Sequence, residues 1–413
     1  LKGQQRVSKI LENDILKRGR KMISKKISES MKGSSWIRAM FEEGERLKKL
    51  YGNENIFDFT LGNPITEPPR ALKQELIRLI TSQEKGMHRY MSNSGYEDVR
   101  EEIAAFHKER TGIGFTKDHI IMTVGSAGGI NVILKAMLDP GDEVIVLNPY
   151  FVEFKFYIEN HGGIMRLVDT SEDFHLDLDR IKDAINERTK AIIINSPNNP
   201  TGVIYSEDEL KSLASILKGY SSDGKKIFII SDEAYRKIIY DEIKFPDIVN
   251  IYDDTVTIIS HSKDLALPGE RIGYIAISPK IKDAQTLIDA AIFANRTLGF
   301  INAPAIMQRL VKGFQKNSVD IKDYQKKRNA IYNILIESGY ETVKPLGAFY
   351  IFPKSPIEDD IEFIKYLQKY HILAVPGTGF GKRGYFRLAY CVEMDVIERS
   401  ASYFKEAIKD IRP

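Results

Sequence analysis

The sequence predicts an α/β protein: a large domain on a mainly parallel sheet with helices on both faces, plus a smaller α+β domain. Three observations point there. Apolar, β-branched runs alternate with helical patterns from about Pro69 to Phe300. Several runs, such as Ala191-Ile192-Ile193-Ile194, are apolar at every position, as strands covered on both faces are. From about Asn302 the pattern changes to a long amphipathic helix followed by shorter strands. A chain of 413 residues with 43% hydrophobic content is ample for two such domains.

Residues 1–21, with Lys17-Arg18-Gly19-Arg20-Lys21 just before Met22, read as a leader or tag-like arm, a short basic arm being the alternative. Residues 22–64 read as an N-terminal segment joining the small domain, with Trp36, Ile37, Met40 and Phe41 on an apolar helical stripe between Ser34 and Lys49. The large domain, 65–301, follows as helices 70–80 and 95–110, strand 120–124, helix 128–138, strand 143–147, helix 152–161, strand 164–168, helix 179–186, strand 191–195, helix 207–218, and strands 227–230, 255–259 and 272–277. The small domain, 302–413, opens with a helix running to about Ser338 and continues through strands at 348–352, 373–375 and 385–390.

A formal charge of +3 with basic residues spread along the body argues against a nucleic-acid face. The single cysteine, Cys391, excludes an internal disulfide framework and reads as packing in a reducing compartment. No apolar run approaches a membrane span and no secretory pattern is visible, so a soluble, cytoplasmic protein is expected. Asn295-Arg296-Thr297 matches a glycosylation sequon that is idle in such a protein.

The chemistry concentrates at strand ends. Thr255-Val256-Thr257-Ile258-Ile259 runs into Ser260-His261-Ser262-Lys263, which places an amine just past the carboxyl end of a strand, where α/β sheets bind ligands. A partly desolvated lysine there forms a Schiff base with an aldehyde, and nearby Ser260 and Arg271 suit a phosphate; the plain alternative is a solvated loop lysine. Ile227-Phe228-Ile229-Ile230 ends in Ser231-Asp232-Glu233-Ala234-Tyr235, and an aspartate against a pyridine nitrogen keeps that nitrogen protonated. A metal-binding acid or a helix N-cap are the alternatives for this segment. Ser196-Pro197-Asn198-Asn199-Pro200-Thr201-Gly202 is a rigid turn that fixes the Asn199 amide as a donor to a phenolate or carboxylate, or is an ordinary Asn-Pro turn. Gly125-Ser126-Ala127-Gly128-Gly129 between strand and helix suits backbone contact with a phosphate, and is neither a dinucleotide nor a Walker loop.

Taken together, Asn199-Pro200-Thr201-Gly202, Asp232-x-x-Tyr235, Ser260-x-Ser-Lys263 and Arg271, in this order, resemble the class I/II aminotransferases, pyridoxal-phosphate enzymes of fold type I in the aspartate aminotransferase superfamily. The resemblance runs from about Asn53 to the end. It includes Leu61-Gly62-Asn63-Pro64, Arg89-Tyr90, Gly95-Tyr96, Leu346-Gly347-Ala348-Phe349-Tyr350 and Phe386-Arg387-Leu388-Ala389.

The resemblance implies that Lys263 forms the Schiff base with pyridoxal 5'-phosphate and moves the proton during transfer. It implies that Asp232 pairs with the pyridinium nitrogen, that Tyr235 and Asn199 bond the ring's phenolate oxygen, and that Phe151 stacks on the ring, Tyr150 being the alternative. Ser260, Arg271 and the backbone of Ser126 and Ala127 hold the phosphate, with Tyr90 reaching it from the second subunit of a homodimer. Arg387, helped by the Gly62 backbone, takes the substrate α-carboxylate as a bidentate fork; the alternative for Arg387 is a surface salt bridge.

The implied activity is transfer of an amino group from an L-amino acid to a 2-oxo acid in two half-reactions. A β-lyase or synthase on the same fold is the alternative, and a pyridoxal-sensing regulator domain a remote one, since the stretch before Met22 is shorter than a winged helix. Ala127 stands where some aspartate-using relatives place a lysine. Arg296 lies near where certain dicarboxylate transaminases supply an arginine from the partner subunit, or else makes a surface or interface salt bridge.

Overall fold

The computed structural model describes residues 22–220 and 225–411. The arm at 1–21 lies outside them, as do the side chains of 32–41, including Trp36, Ile37, Met40 and Phe41. By its internal contacts the chain divides into a unit ending at Asp58 and a second unit starting at Phe59. The first is dominated by the helix Lys25–Tyr51, whose N-cap Ser24 accepts from the Ile27 N–H at 3.2 Å and which stops at Gly52, where φ is +86°.

The second unit is built on seven strands: β1 (Ile120–Thr123), β2 (Glu143–Asn148), β3 (Ile164–Asp169), β4 (Thr189–Asn195), β5 (Phe228–Asp232), β6 (Thr255–Ser260) and β7 (Gly273–Ile277). Their order across the sheet is β1-β7-β6-β5-β4-β2-β3, and only β7 runs against the rest. Alternate residues of a strand face opposite sides, and here both sides are apolar. On β4, Ile192 and Ile194 enter one core while Ala191 and Ile193 enter the other; on β2, Ile145 and Leu147 oppose Val144 and Val146 in the same way. The mainly parallel, doubly covered sheet read from those continuous runs is the one observed.

Helix α1 (Gly125–Met137) follows β1, α2 (Glu153–Asn160) follows β2, and the short α3 (His261–Asp264) follows β6 at once. After β2 the chain packs Phe154 and Ile158 of α2 on one face of the sheet, whereas after β4 the helix Glu207–Tyr220 packs Leu210 and Leu213 on the other. These departures to opposite faces open a crevice at the carboxyl ends of β2 and β4, the place where such sheets take ligands.

Two helical expectations are corrected. Helix α4 (Ala284–Thr297), which buries Ile288, Ala291 and Ala294, occupies a stretch read without structure. The long helix expected over 302–338 is two, α5 (Ala305–Val311) and α6 (Ile321–Ser338). Gly313, at φ +83°, takes a conformation no helix includes, and the Asp320 carboxylate then caps α6 by accepting the Lys322 and Asp323 N–H groups at 2.9 and 3.3 Å. The later strands are shorter than expected: β8 (Tyr350–Ile351), β9 (Val375–Pro376) and β10 (Phe386–Ala389) form an antiparallel sheet in the order β9-β10-β8. Ala348, at φ +56°, cuts the run read over 348–352, and the one read at 373–375 is split into Ile372–Leu373 and Val375–Pro376. Among the described residues no helix is long and apolar enough to cross a membrane.

Ile230 is fully buried at the middle of β5. Ile230→Ala is expected to lower the unfolding free energy by about 2–5 kcal/mol, read from urea unfolding. A loss below ~1 kcal/mol would show that this strand is not a packing centre.

Candidate active site

Strand pairing brings the chemistry together. Asn195 and Asp232 are register partners at the carboxyl ends of β4 and β5, and Ser260 ends β6 next door. Around them lies a cavity of about 380 Å³ lined by Gly62, Ser126, Ala127, Phe151, Asn199, Asp232, Tyr235, Ser260, Lys263, Arg271 and Arg387. Every residue singled out for the site is there except Tyr90, which is 87% exposed and does not line the cavity.

Asp232 is buried and half paired. Asn195 Nδ2 donates to its Oδ2 at 3.2 Å, while Oδ1 is out of water with no partner among the described residues. Burial pushes its pKa up to about 7, against the opposing pull of the Ala234 N–H and the Asn195 amide. An unsatisfied buried acceptor on a cavity wall calls for a donor from a bound molecule. The neighbouring Glu233 points away from the cavity: Ser231 Oγ donates to it at 2.9 Å and Arg236 Nη1 at 2.7 Å. Among the described residues no group of three His, Cys, Asp or Glu side chains could hold a metal ion.

Lys263 sits in the first turn after β6, and its Nζ donates to the Gly62 carbonyl at 2.6 Å. Burial pushes its pKa down to about 8; the Cys391 thiol opposes this, and Arg387 and Arg271 add to it. The solvated loop lysine is thereby excluded, because a desolvated amine near other cations is neutral, and so nucleophilic, only a little above physiological pH.

The end of the cavity beside α1 is assembled from small pieces. Helix α1 starts at Gly125 itself, three residues earlier than its apolar pattern predicts, so Ser126 and Ala127 lie in its first turn and present unpaired N–H groups with the positive end of the helix dipole. Gly125, at φ +68°, has no side chain to keep the Arg271 guanidinium away: a Cβ there would lie 3.1 Å from Arg271 Nη2. Arg271 itself is held at φ +51°, a left-handed conformation a side chain rarely takes, and Nη1 donates to the Pro268 carbonyl at 3.0 Å. Ser260 Oγ closes this end, donating to Ser262 Oγ at 2.8 Å.

Opposite stands Arg387, 9% exposed. Its partners are uncharged: Nη1 donates to Asn199 Oδ1 at 3.1 Å and Nη2 to the Thr60 carbonyl at 2.7 Å, while Nε is buried without a partner among the described residues. The alternative of a surface salt bridge fails, since this guanidinium is desolvated and has no counter-ion among the described residues. Phe151, not Tyr150, lines the cavity.

Among the wall residues that sequence reasoning gave no role are Asn195, Tyr157 and Tyr350. Asn195 was read only as a strand end, although an Asn closing an apolar run beside a second strand-end acid is a signal; Tyr157 on α2 carried none beyond being aromatic, and Tyr350 on β8 stood in a quoted motif without a function of its own. Arg296 is exposed on the last turn of α4, its guanidinium 5.1 Å from the Phe293 ring centre, and does not line the cavity. Asn295 is fully buried, with Nδ2 donating to the Asn93 carbonyl at 3.0 Å, so its sequon is not accessible. A second cavity of about 400 Å³, near Tyr340, Lys354 and Tyr385, gathers no buried acid and amine; its unpartnered buried polar atom is Ser355 Oγ.

The residues present fit a flat, anionic aldehyde. The Asp232 Oδ1 orphan suits a protonated ring nitrogen, the α1 terminus with Arg271 suits a phosphate, and Lys263 suits the carbonyl.

Comparison with known proteins agrees with the geometry. Residues 54–404 match the family model for aminotransferase class I and II. A probable aspartate aminotransferase of Methanocaldococcus jannaschii is 34% identical over 84% of this chain and 92% of its own length. A probable N-acetyl-LL-diaminopimelate aminotransferase of Bacillus subtilis is 30% identical over 84% and 87%. A crystal structure of an amino transferase from Eubacterium rectale superposes with a TM-score of 0.89 at 37% identity, covering 93% of this chain and 98% of that one.

The raised pKa of Asp232 has a sign that can be tested. Because the folded-state value of about 7 lies above the ordinary 3.8, the folded protein keeps a proton that the unfolded chain loses between about pH 4 and 7, so stability falls as pH rises through that window. Asp232→Asn is expected to flatten this slope and to stabilise the protein stripped of small molecules by about 2–4 kcal/mol at pH 8, measured by urea unfolding at pH 5 and 8. Parallel pH curves for the two proteins would remove the buried charge from the argument.

Proposed function

The chain belongs to the class I and II aminotransferases and is a pyridoxal-phosphate-dependent transaminase; from that premise we propose that it moves an amino group from an L-amino acid to a 2-oxo acid, with Lys263 as the residue that carries the chemistry. The observation supporting this most is convergence: eleven side chains or backbone groups from separated stretches between Gly62 and Arg387 line one cavity, with an orphaned acid and a depressed amine in it.

Pyridoxal 5'-phosphate, when bound, supplies an electron sink for the charge left on a carbon that loses its proton. In our reading the Asp232 Oδ1 would accept the ring N–H, Tyr235 and the free Nδ2 of Asn199 would donate to the ring oxygen, and Phe151 would cover the ring. Ser260, Arg271 and the N–H groups of Ser126 and Ala127 would hold the phosphate. Lys263 Nζ would tie the aldehyde and then, as a neutral amine above about pH 8, take the substrate's Cα proton and return it. Arg387 and the Gly62 N–H would orient the substrate α-carboxylate; the missing counter-ion of Arg387 is the reason for placing it there. The high exposure of Tyr90 supports a role toward the phosphate of a second copy, and so a homodimer. A large domain at 65–301, a small one at 302–413 and a cytoplasmic location complete the proposal.

Borohydride treatment of the purified protein followed by peptide mass analysis should fix the vitamin onto Lys263, and Lys263→Ala should lose about 10²–10⁴-fold in transamination with a panel of amino donors against 2-oxoglutarate and pyruvate. A label on any other lysine refutes the assignment. Arg387→Lys keeps the charge but not the fork, and is expected to raise KM for amino and oxo acids about tenfold, in steady-state kinetics of both half-reactions.

A further inference from the structure

Tyr350 belongs to neither end of the site as read so far, yet it touches both. It is 3% exposed and lines the cavity. Its ring centre lies 4.6 Å from Arg387 Cζ, and the Phe380 ring lies at the same distance, so the guanidinium is packed against two aromatic rings. Its hydroxyl lies 2.9 Å from that of Tyr235. The backbone of Gly62 passes so close that a Cβ there would overlap the Tyr350 phenol. The rings of Tyr350 and Tyr235 meet edge to face with centroids 5.6 Å apart, which fixes the phenol from the side as well.

Resting on the site assignment above, we propose that Tyr350 is a positioning residue that couples substrate-carboxylate binding at Arg387 and Gly62 to the hydrogen bond that Tyr235 makes with the ring oxygen. Its two halves do different work. The ring holds a desolvated guanidinium by its negative face and shields it from water, a contact strongest where solvent is excluded. Either phenol can be the donor across their 2.9 Å contact; with an acceptor oxygen in the cavity the Tyr235 proton turns to it, and the Tyr350 hydroxyl then donates to Tyr235 and strengthens it as a donor. An anion arriving at Arg387 draws on the same ring, so its effect reaches Tyr235 through one side chain. The titratable and charged groups acting on Tyr350 are Arg387, Cys391, Tyr235 and Tyr324.

Tyr350→Phe and Tyr350→Leu separate the halves. In the holoenzyme, Tyr350→Phe should move the pH titration of the visible absorption band upward by about half a unit, because Tyr235 loses the hydrogen bond that makes it a stronger donor. It should leave KM for the amino donor within about twofold, since the ring stays on Arg387; Tyr350→Leu should raise that KM about tenfold. A Tyr350→Phe titration that superimposes on wild type, a Tyr350→Phe KM as high as that of the leucine variant, or an unchanged KM in the leucine variant overturns the coupling. If Tyr350→Leu fails to fold, the phenylalanine variant decides alone by whether its band moves while its KM does not. Wild type run alongside keeps the two readings apart: absence of a borohydride-fixed label on its Lys263 brings down the site assignment and the coupling with it, whereas a labelled wild type with unmoved variants brings down the coupling only.

Discussion

Asp232 is a carboxylate taken out of water with one oxygen unanswered, and the surrounding fold is arranged to keep it so. The residue that follows it at the end of β5 shows how selective that arrangement is. Glu233, one residue on, is just as buried but is engaged by Ser231 and Arg236, while Arg236 in turn binds Asp247 at 2.6 Å. The alternation of a strand separates the two acids: one joins a closed ion network behind the sheet, the other faces the cavity. Asn195 has two Nδ2 hydrogens to give, and they go to one carboxylate oxygen of Asp232 at 3.2 Å and to its backbone carbonyl at 3.3 Å, while Oδ1, accepting from the Asn199 N–H at 2.8 Å, fixes which way the amide faces. The residual valence on Oδ1 is therefore built in, and a cationic donor from a ligand gains more there than it would in water.

The same logic governs the opposite charges. Lys263, Arg271 and Arg387 all border the cavity, and none is answered there by a protein carboxylate: Lys263 has the Gly62 carbonyl, Arg271 the Pro268 carbonyl, and Arg387 an amide and a carbonyl. Three unneutralised cations repel one another, and Arg387 and Arg271 add to the burial that brings the Lys263 pKa down to about 8. That arrangement is unfavourable for an empty protein and favourable for one carrying a phosphate and a carboxylate, because each anion relieves a repulsion as it binds.

Most of this could be read from the chain, for identifiable reasons. Strand ends are legible because an apolar run stops at its first polar side chains, which located Ser260 at the end of one run, Asp232 one residue past the first polar residue of another, and Asn199 in the turn after a third, without any knowledge of pairing. What the run cannot say is which strands are neighbours, so the contact of Asn195 with Asp232, which depends on β4 lying beside β5, was invisible. Tyr350 was quoted in a motif but given no role, since what it does depends on β8 passing beside β10 and its Arg387. Helix α4 was lost because its apolar face, Ile288, Ala291 and Ala294, is made partly of alanines, which add little to a hydrophobic stripe. The false continuity of α5 and α6 came from reading an amphipathic stripe through Gly313, whose positive φ is decided by the fold rather than by the local sequence.

Why the amine rests on Gly62 follows from the same geometry. Burial lowers the Lys263 pKa only to about 8, so at neutral pH it still carries the three N–H donors of an ammonium, and leaving all of them unmet would be costly. The Gly62 carbonyl answers one of them at 2.6 Å, and it can do so because glycine lets the backbone pass beneath Tyr350, where any side chain would collide. Cys391 holds the same stretch from the other side, its thiol 3.5 Å from the Leu61 carbonyl and 3.6 Å from that of Asn63. The segment that would meet the substrate carboxylate is thus the one that steadies the amine beforehand. In the proposed reading a carboxylate drawn to Arg387 would approach the backbone on which Lys263 rests, so that binding at one group and release of the other would share a single stretch of chain.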